Sequence, residues 1–208
     1  MRIWSIQSIE AWEHLQRHGS LLARRQHRAG DWPHAYDWMR AQLIRRIGPP
    51  PESDVEPLWG WYQWCSKSTR PDLRALRHYW GPEGNHVMIE CELPEREVLL
   101  SDHDAWHFVL NDWHLALDEQ KGDAYNGLRR LYEGKAGHDK FRRLIERRLK
   151  RLKRDRQESW ELIFDLDALD NDYWGRTSDK SIQACFWTIN LNQVNSCKPF
   201  RSRHPKFR

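Results

Sequence analysis

Hydrophobic residues recur along this chain with two periods, and the changes of period mark its elements. Ile3-Trp-Ser-Ile-Gln7 alternates, with Trp4 and Ile6 on one face and Ser5 and Gln7 on the other, which predicts a first strand. From Ser8 the spacing turns helical. Ile9, Trp12 and Leu15 follow a serine suited to N-capping, and Gly19 stands where such a helix stops. Leu21-Leu22 leads into a basic loop through Arg28. Asp31-Trp-Pro33 opens a second helix, with Pro33 in the first turn where its missing N–H is no loss, and the pattern runs to about Ile47 before Gly48-Pro-Pro.

Pro57–Trp64 reads as an aromatic strand and Lys67–Arg74 as a polar, basic connection. His86–Glu92 alternates with Val87, Ile89 and Cys91 inward, and Glu97–Leu100 is a further strand. Ser101-Asp102 caps a helix whose apolar stripe is Trp106, Val109/Leu110, Trp113 and Leu117. A weaker helical piece spans Gly122 to about Gly137. His138–Arg156 is a basic helix with a narrow seam of Phe141, Ile145, Leu149 and Leu152. Glu158–Asp165 packs after it, Asp167–Asp179 is rich in turn residues, and Lys198-Pro-Phe-Arg opens a basic tail. Ser181–Asn190 reads as one strand apolar on both faces. Gln183, Cys185, Trp187 and Ile189 lie on one face, Ile182, Ala184, Phe186 and Thr188 on the other. Gln183 is its odd member: a buried amide either serves as a structural hydrogen-bonder or faces a cleft whose occupant supplies its partner.

The pattern predicts an α+β fold over a single domain, 1–208: a split, mainly antiparallel sheet with surrounding helices and a basic helical insertion at 122–157. Trp buries a large area and wants a partner for its N–H, so many of the 13 tryptophans are expected in the core. The four cysteines are widely spaced with no Cys-x-x-Cys pair, which argues against a zinc ribbon. The first residues lack an apolar signal region and no run approaches a membrane span, so the expectation is a cytoplasmic protein with no membrane partner.

The formal net charge of +4 is unevenly spread. Ten Lys/Arg lie between Lys140 and Arg156 against two acids, Glu146 and Asp155. Such a rod suits a phosphate backbone, DNA or RNA, through Arg143, Arg147, Arg148, Lys150, Arg151 and Arg154, with a second basic cluster at Arg201–Arg208. The plainer reading is a solvated helix face. His103, His107 and His114 share a flank that a metal could use, but they rim an aromatic stripe where histidine ordinarily packs, and no metal is assigned. Gln7, Tyr62 and Gln183 come from three strands, each beside aromatic residues; they either converge as in a nucleotide cleft or are unrelated, and spacing alone does not decide between the two. Glycosidase-type carboxylate pairs, a nucleophile elbow and a phosphate-binding glycine loop are absent from the sequence.

Ile3–Gln7, Tyr36-Asp-Trp-Met39, Leu58–Trp64, Arg70–Arg74, Val98–Asp102 with Trp106, Ser159-Trp160 and Ile182–Trp187 together resemble an uncharacterised bacterial domain family over nearly the whole chain. The order of parts is also similar to the ADP-ribosyltransferase fold, especially to DarT-type toxins that modify DNA. Ile3–Gln7 followed by the Ile9–His18 helix, Gly19 and Leu21-Leu22 resembles that fold's first strand and helix. Trp59–Trp64 resembles its aromatic second strand, Leu99–Asp102 its strand ending in Ser/Thr-Asp, and Ser181–Trp187 with Leu191–Val194 its late strand and short helix. This resemblance implies NAD as substrate. Tyr62 would stack on nicotinamide, Ser5 or Gln7 would hold the adenosine-side ribose beside Trp61, and Gln183 would stand where the family has its catalytic glutamate. An amide supplies neither negative charge nor a proton acceptor, so the acid would come from Glu90, Glu92, Glu161 or the substrate.

The leading expectation is therefore an NAD-dependent ADP-ribosyltransferase-like protein acting on nucleic acid, of toxin or defence type and with a possible inhibitory partner protein. The alternatives are a non-catalytic nucleic-acid-binding module and a structural protein whose basic helix faces an acidic partner.

Overall fold

In the computed structural model the described residues are 1–27, 31–65, 70–73, 83–135 and 141–202. Their strands are β1 (Arg2–Ser8), β2 (Ser20–Arg24), β3 (Val55–Glu56), β4 (Leu58–Gln63), β5 (Gly84–Glu92), β6 (Leu99–Asp102), β7 (Ile182–Phe186), β8 (Thr188–Asn190) and β9 (Val194–Ser202). A six-stranded sheet runs in the order β6-β7-β4-β1-β5-β9, and a three-stranded sheet in the order β3-β2-β8. The pairings of β1 with β4 and β5, of β4 with β7 and of β5 with β9 are antiparallel, so the fold is α+β with a mainly antiparallel sheet. Contacts divide the chain into two compact units, Met1–Leu100 with Lys180–Arg208, and Ser101–Asp179. The predicted 122–157 insertion lies within the broader second unit.

In the first unit the large sheet is covered on both faces. One buries Ile3, Leu58, Val87, Ile89, Cys91, Ala184 and Phe186 with Leu15, Leu21 and Ile189; the other buries Trp4, Met88 and Phe200 with Leu73. Helix α1 (Ile9–His18) is delimited as its sequence predicts. Ser8 Oγ accepts a hydrogen bond from the Ala11 N–H at 3.1 Å, and Gly19, at φ 78°, donates its N–H to the Leu15 carbonyl at 2.8 Å. Helix α2 (Pro33–Arg46) begins at its proline.

Three expectations change here. Ser181–Asn190 is two strands, because the chain bends at Trp187 and β8 leaves the large sheet to pair with β2, Leu21 opposite Ile189. The bend breaks the two-residue parity, so Ile189 joins the same core as Ala184 and Phe186. Leu21-Leu22 is consequently strand, since β8 satisfies its backbone groups. The predicted basic tail is β9, paired along β5 with Phe200 opposite His86 and buried. Residues 203–208 of the predicted Arg201–Arg208 cluster lie outside the described residues, as do Lys67–Arg74 apart from 70–73, Arg28, and 138–140 of the basic helix.

The second unit contains α3 (His103–Leu110), α4 (Glu119–Glu133), α5 (Arg142–Ser159) and a 3-10 turn, Trp160–Phe164. Asp102 Oδ1 accepts from the Ala105 N–H at 2.9 Å, and Asp118 Oδ1 from the Lys121 N–H at 2.8 Å. The Asp118 cap starts α4 at Glu119, ahead of Gly122, where the glycine spacing predicts its start. The stripe of α3 stops at Leu110, and Trp113 is 56% exposed rather than part of it. Along α5, Ile145 and Leu152 are buried while Phe141 is exposed. Among the described residues no helix is long and apolar enough to cross a membrane. Cys65, Cys91, Cys185 and Cys197 are free thiols; burial pushes Cys91 up to about 12 and Cys185 well above the ordinary thiol range.

Candidate functional site

Ser5 is fully buried and donates its hydroxyl to the Trp59 carbonyl at 2.7 Å, while Gln7 Nε2 donates to Ser5 Oγ at 2.8 Å. Ser5 thus ties β1 to β4, and Gln7 bonds the Ser5 hydroxyl from within β1. The register sets Trp4 opposite Trp61 and Trp61 opposite Gln183, so Gln183 shares its face with Trp4 and Trp61. Ser5 and Gln7, an odd number of residues from Trp4, project from the other face. Gln183 is buried, and its Nε2 has no partner among the described residues. Tyr62 stands at the bulge between Trp61 and Gln63, 39% exposed, and lines a cleft of about 380 Å³ with Arg2, Trp4, Gln63 and Glu92.

The expected convergence of Ser5, Gln7, Tyr62 and Gln183 on one cleft is therefore not formed. Three adjacent strands do carry them, but pleat parity sends them to opposite faces. Of the acids proposed to complete such a site, Glu90 binds Arg2 at 3.4 Å and Ser196 at 2.9 Å, and Glu92 binds the N-terminal ammonium at 2.9 Å. Glu161 belongs to the second unit.

The basic helix α5 is more ordered in its chemistry. At 100° per residue, Arg143, Arg147, Lys150 and Arg154 fall within an arc of about 60° opposite the Ile145, Leu149 and Leu152 seam. All four are exposed. Arg151 lies beside this line and Arg148 on its flank. Arg151 pairs with Asp155 at 3.7 Å and Arg154 with Glu158 at 3.5 Å, both exposed pairs of the kind that contribute about 0.3–0.5 kcal/mol. Arg143, Arg147, Arg148, Lys150 and Lys153 have no acidic partner among the described residues. A surface cleft of about 490 Å³ runs among Arg147, Lys150, Arg151, Lys153, Arg154 and Gln157.

The three histidines of the predicted flank separate. His103 and His107 pack edge to face at 4.8 Å, and with Asp104 they bring their ligand atoms within 4.8 Å of one another; His107 Nδ1 is already 3.0 Å from the His103 carbonyl. His114 instead stacks on Tyr125, with centroids 3.8 Å apart and planes 10° from parallel. Beside this stack is a cavity of about 320 Å³, which sequence reasoning missed. One signal for it was present: Arg156 continues the phase of Ile145, Leu149 and Leu152, so a guanidinium faces inward on α5. It pairs with Asp112 at 2.8 Å, its side chain 16% exposed.

Burial lowers the pKa of His114, against a smaller opposing pull from Asp155. The folded protein therefore holds this proton less tightly than the unfolded chain. Its contribution is complete above the ordinary histidine range and is lost as pH falls through it. The urea midpoint should drop between about pH 7.5 and pH 5.5, and His114→Phe should reduce that drop; an equal drop in the variant would rule His114 out as its source.

No curated protein and no solved structure matches the chain, so the similarity to the ADP-ribosyltransferase fold gains no support from a neighbour. A family model described as Domain of unknown function (DUF3841) matches residues 2–195, in keeping with the whole-chain resemblance carried by segments such as Leu58–Trp64 and Ile182–Trp187. With nearly all of its 208 residues covered, the chain belongs to the DUF3841 domain family.

Proposed function

We propose that this protein binds nucleic acid through the outer face of α5 without sequence preference. The observation that carries the reading is the exposed line of Arg143, Arg147, Lys150 and Arg154, about 16 Å long at 1.5 Å per residue, directly opposite the helix's apolar seam. Its charges face outward and are weakly compensated, which suits successive phosphates of one strand. The NAD-dependent transferase reading has less to stand on, because Ser5 and Gln7 are engaged with each other across the sheet from Gln183.

Binding of the full chain to labelled duplex DNA, single-stranded DNA and RNA, followed by fluorescence anisotropy over about 50–200 mM salt, tests the proposal. Four phosphate contacts on duplex DNA give a log–log salt slope of about −3.6, and neutralising Arg147, Lys150 and Arg154 together flattens it by about 2.7. Gln183→Ala leaves both unchanged. Absence of binding at low salt, or an unaltered slope in the triple variant, would sink the proposal; the acidic-protein alternative would then gain. A parallel incubation with labelled NAD separates the transferase reading: label transfer to nucleic acid that Gln183→Ala abolishes would replace simple binding with catalysis.

A further inference from the structure

We infer that the second unit carries a pocket for a nucleoside 5′-monophosphate beside the His114–Tyr125 stack. This assignment is independent of the outer face of α5, since it uses the opposite side of that helix and residues of α4.

The pocket's polar wall comes from Asn126, Arg129 and Arg130, which share one face of α4, and from Arg156. Its acid, Asp112, is taken up by Arg156 at 2.8 Å, which leaves the wall net cationic. Arg129 reaches Glu133 only at 3.9 Å on an exposed surface, and Arg130 has no acidic partner among the described residues. Arg156 Nε is buried with no protein acceptor. Arg129 and Arg130 are exposed, so the wall offers charged hydrogen bonds of which the protein itself makes little use. Guanidinium forks fit the oxygens of a phosphate, and several together select for one.

The aromatic wall selects for the rest of the ligand. Asp112 adopts the left-handed conformation, at φ 55°, and Trp113 directly after it exposes its indole at the rim. Phe108 supports that ring edge-on at 5.9 Å, and Tyr125 is fixed by donating its hydroxyl to the Leu152 carbonyl at 2.8 Å. A base stacks on such rings whatever its identity. At about 320 Å³ the cavity lies at the small end of ligand sites, matched to one nucleotide rather than to the two joined in a dinucleotide. The same chemistry is offered by a free mononucleotide and by the 5′-phosphorylated end of a strand.

Isothermal titration of the full chain with a nucleoside 5′-monophosphate, the nucleoside alone and inorganic phosphate tests the assignment. The monophosphate binds, and the nucleoside binds at least about tenfold more weakly because the charged hydrogen bonds are missing. Arg129→Ala with Arg130→Ala, both exposed positions that the fold does not need, weakens the monophosphate about tenfold or more. Trp113→Ala weakens the monophosphate and leaves inorganic phosphate unchanged. Neutralising Arg147, Lys150 and Arg154 changes none of these values, so failure here is distinct from failure of the α5 reading. In that triple variant, preference for a 5′-phosphorylated over a 5′-hydroxyl oligonucleotide assigns the pocket to strand ends, and equal, weak binding of the two assigns it to the free nucleotide. The inference is overturned if no monophosphate binds, if the double arginine variant keeps full affinity, or if inorganic phosphate binds as tightly as the nucleotide.

Discussion

Gly60→Val should leave the large sheet unable to close, and Gly60→Ala should cost about 2–3 kcal/mol, the upper part of the usual range for overpacking a core. Gly60 lies in β4, between β1 and β7. A Cβ there would stand 2.5 Å from Ile3 Cγ2, 3.1 Å from the Trp4 carbonyl oxygen and 3.4 Å from Phe186 Cε1. None of these can retreat easily. Ile3 is fully buried and stiff at its branched Cβ, the carbonyl belongs to a central strand, and Phe186 is 1% exposed. Urea unfolding at constant slope measures the loss for alanine, and circular dichroism should show valine unfolded. Because the clash is mainly with one methyl group, Ile3→Ala combined with Gly60→Ala should cost less than the sum of the two single changes. A Gly60→Ala protein as stable as its parent would show that the sheet does not pack as described.

Trp160→Ala should destabilise the second unit by about 3–5 kcal/mol. Trp160 follows α5 directly, is 2% exposed and lies in the same 3-10 turn as the fully buried Ile163. Its indole Nε1 donates to the Trp113 carbonyl at 2.7 Å, while the preceding Ser159 hydroxyl accepts the Leu115 N–H at 3.0 Å. These bonds tie the end of α5 to the segment that carries Trp113 and His114. Trp160→Phe keeps most of the buried ring but loses the hydrogen bond, so it should cost less than alanine and leave one carbonyl unpaired. Hydrogen exchange separates the two contributions. The alanine variant should lose protection throughout α5, whereas the phenylalanine variant should lose it mainly around Trp113–Leu115. Full protection of α5 in Trp160→Ala would contradict this account.

Both predictions concern packing that no single segment announces. Gly60 in the sequence is only a glycine in an aromatic strand. Its intolerance of a side chain arises because Ile3 and Phe186, brought in on the neighbouring strands, meet over it. Gln183 shows the same division. That it is a buried amide could be read from its apolar neighbours, and it is 5% exposed. Which groups it faces depended on the pairing of Trp4, Trp61 and Gln183 across three strands, and that pairing separates it from Ser5 and Gln7.

What the amino-acid order determined alone were features set by neighbours within a few residues. The Ser8 cap and Gly19 stop of α1, the proline start of α2, the Asp102 cap of α3, the inward Val87, Ile89 and Cys91 of β5, and the opposed apolar seam and cationic line of α5 all follow from local spacing and hydrogen bonding. The tertiary structure decided whatever depends on partners distant in the chain. Leu21 pairs with Ile189, which makes strands of two segments and breaks the one predicted through Trp187. Val87 pairs with Pro199, which turns the expected basic tail into an ordered strand. Arg156 meets Asp112, which makes a pocket wall of a residue that composition would count as one more surface charge. Side-chain periodicity records which face of an element is apolar, but it carries no information about what will cover that face, and the pocket beside His114 and Tyr125 is made of those coverings.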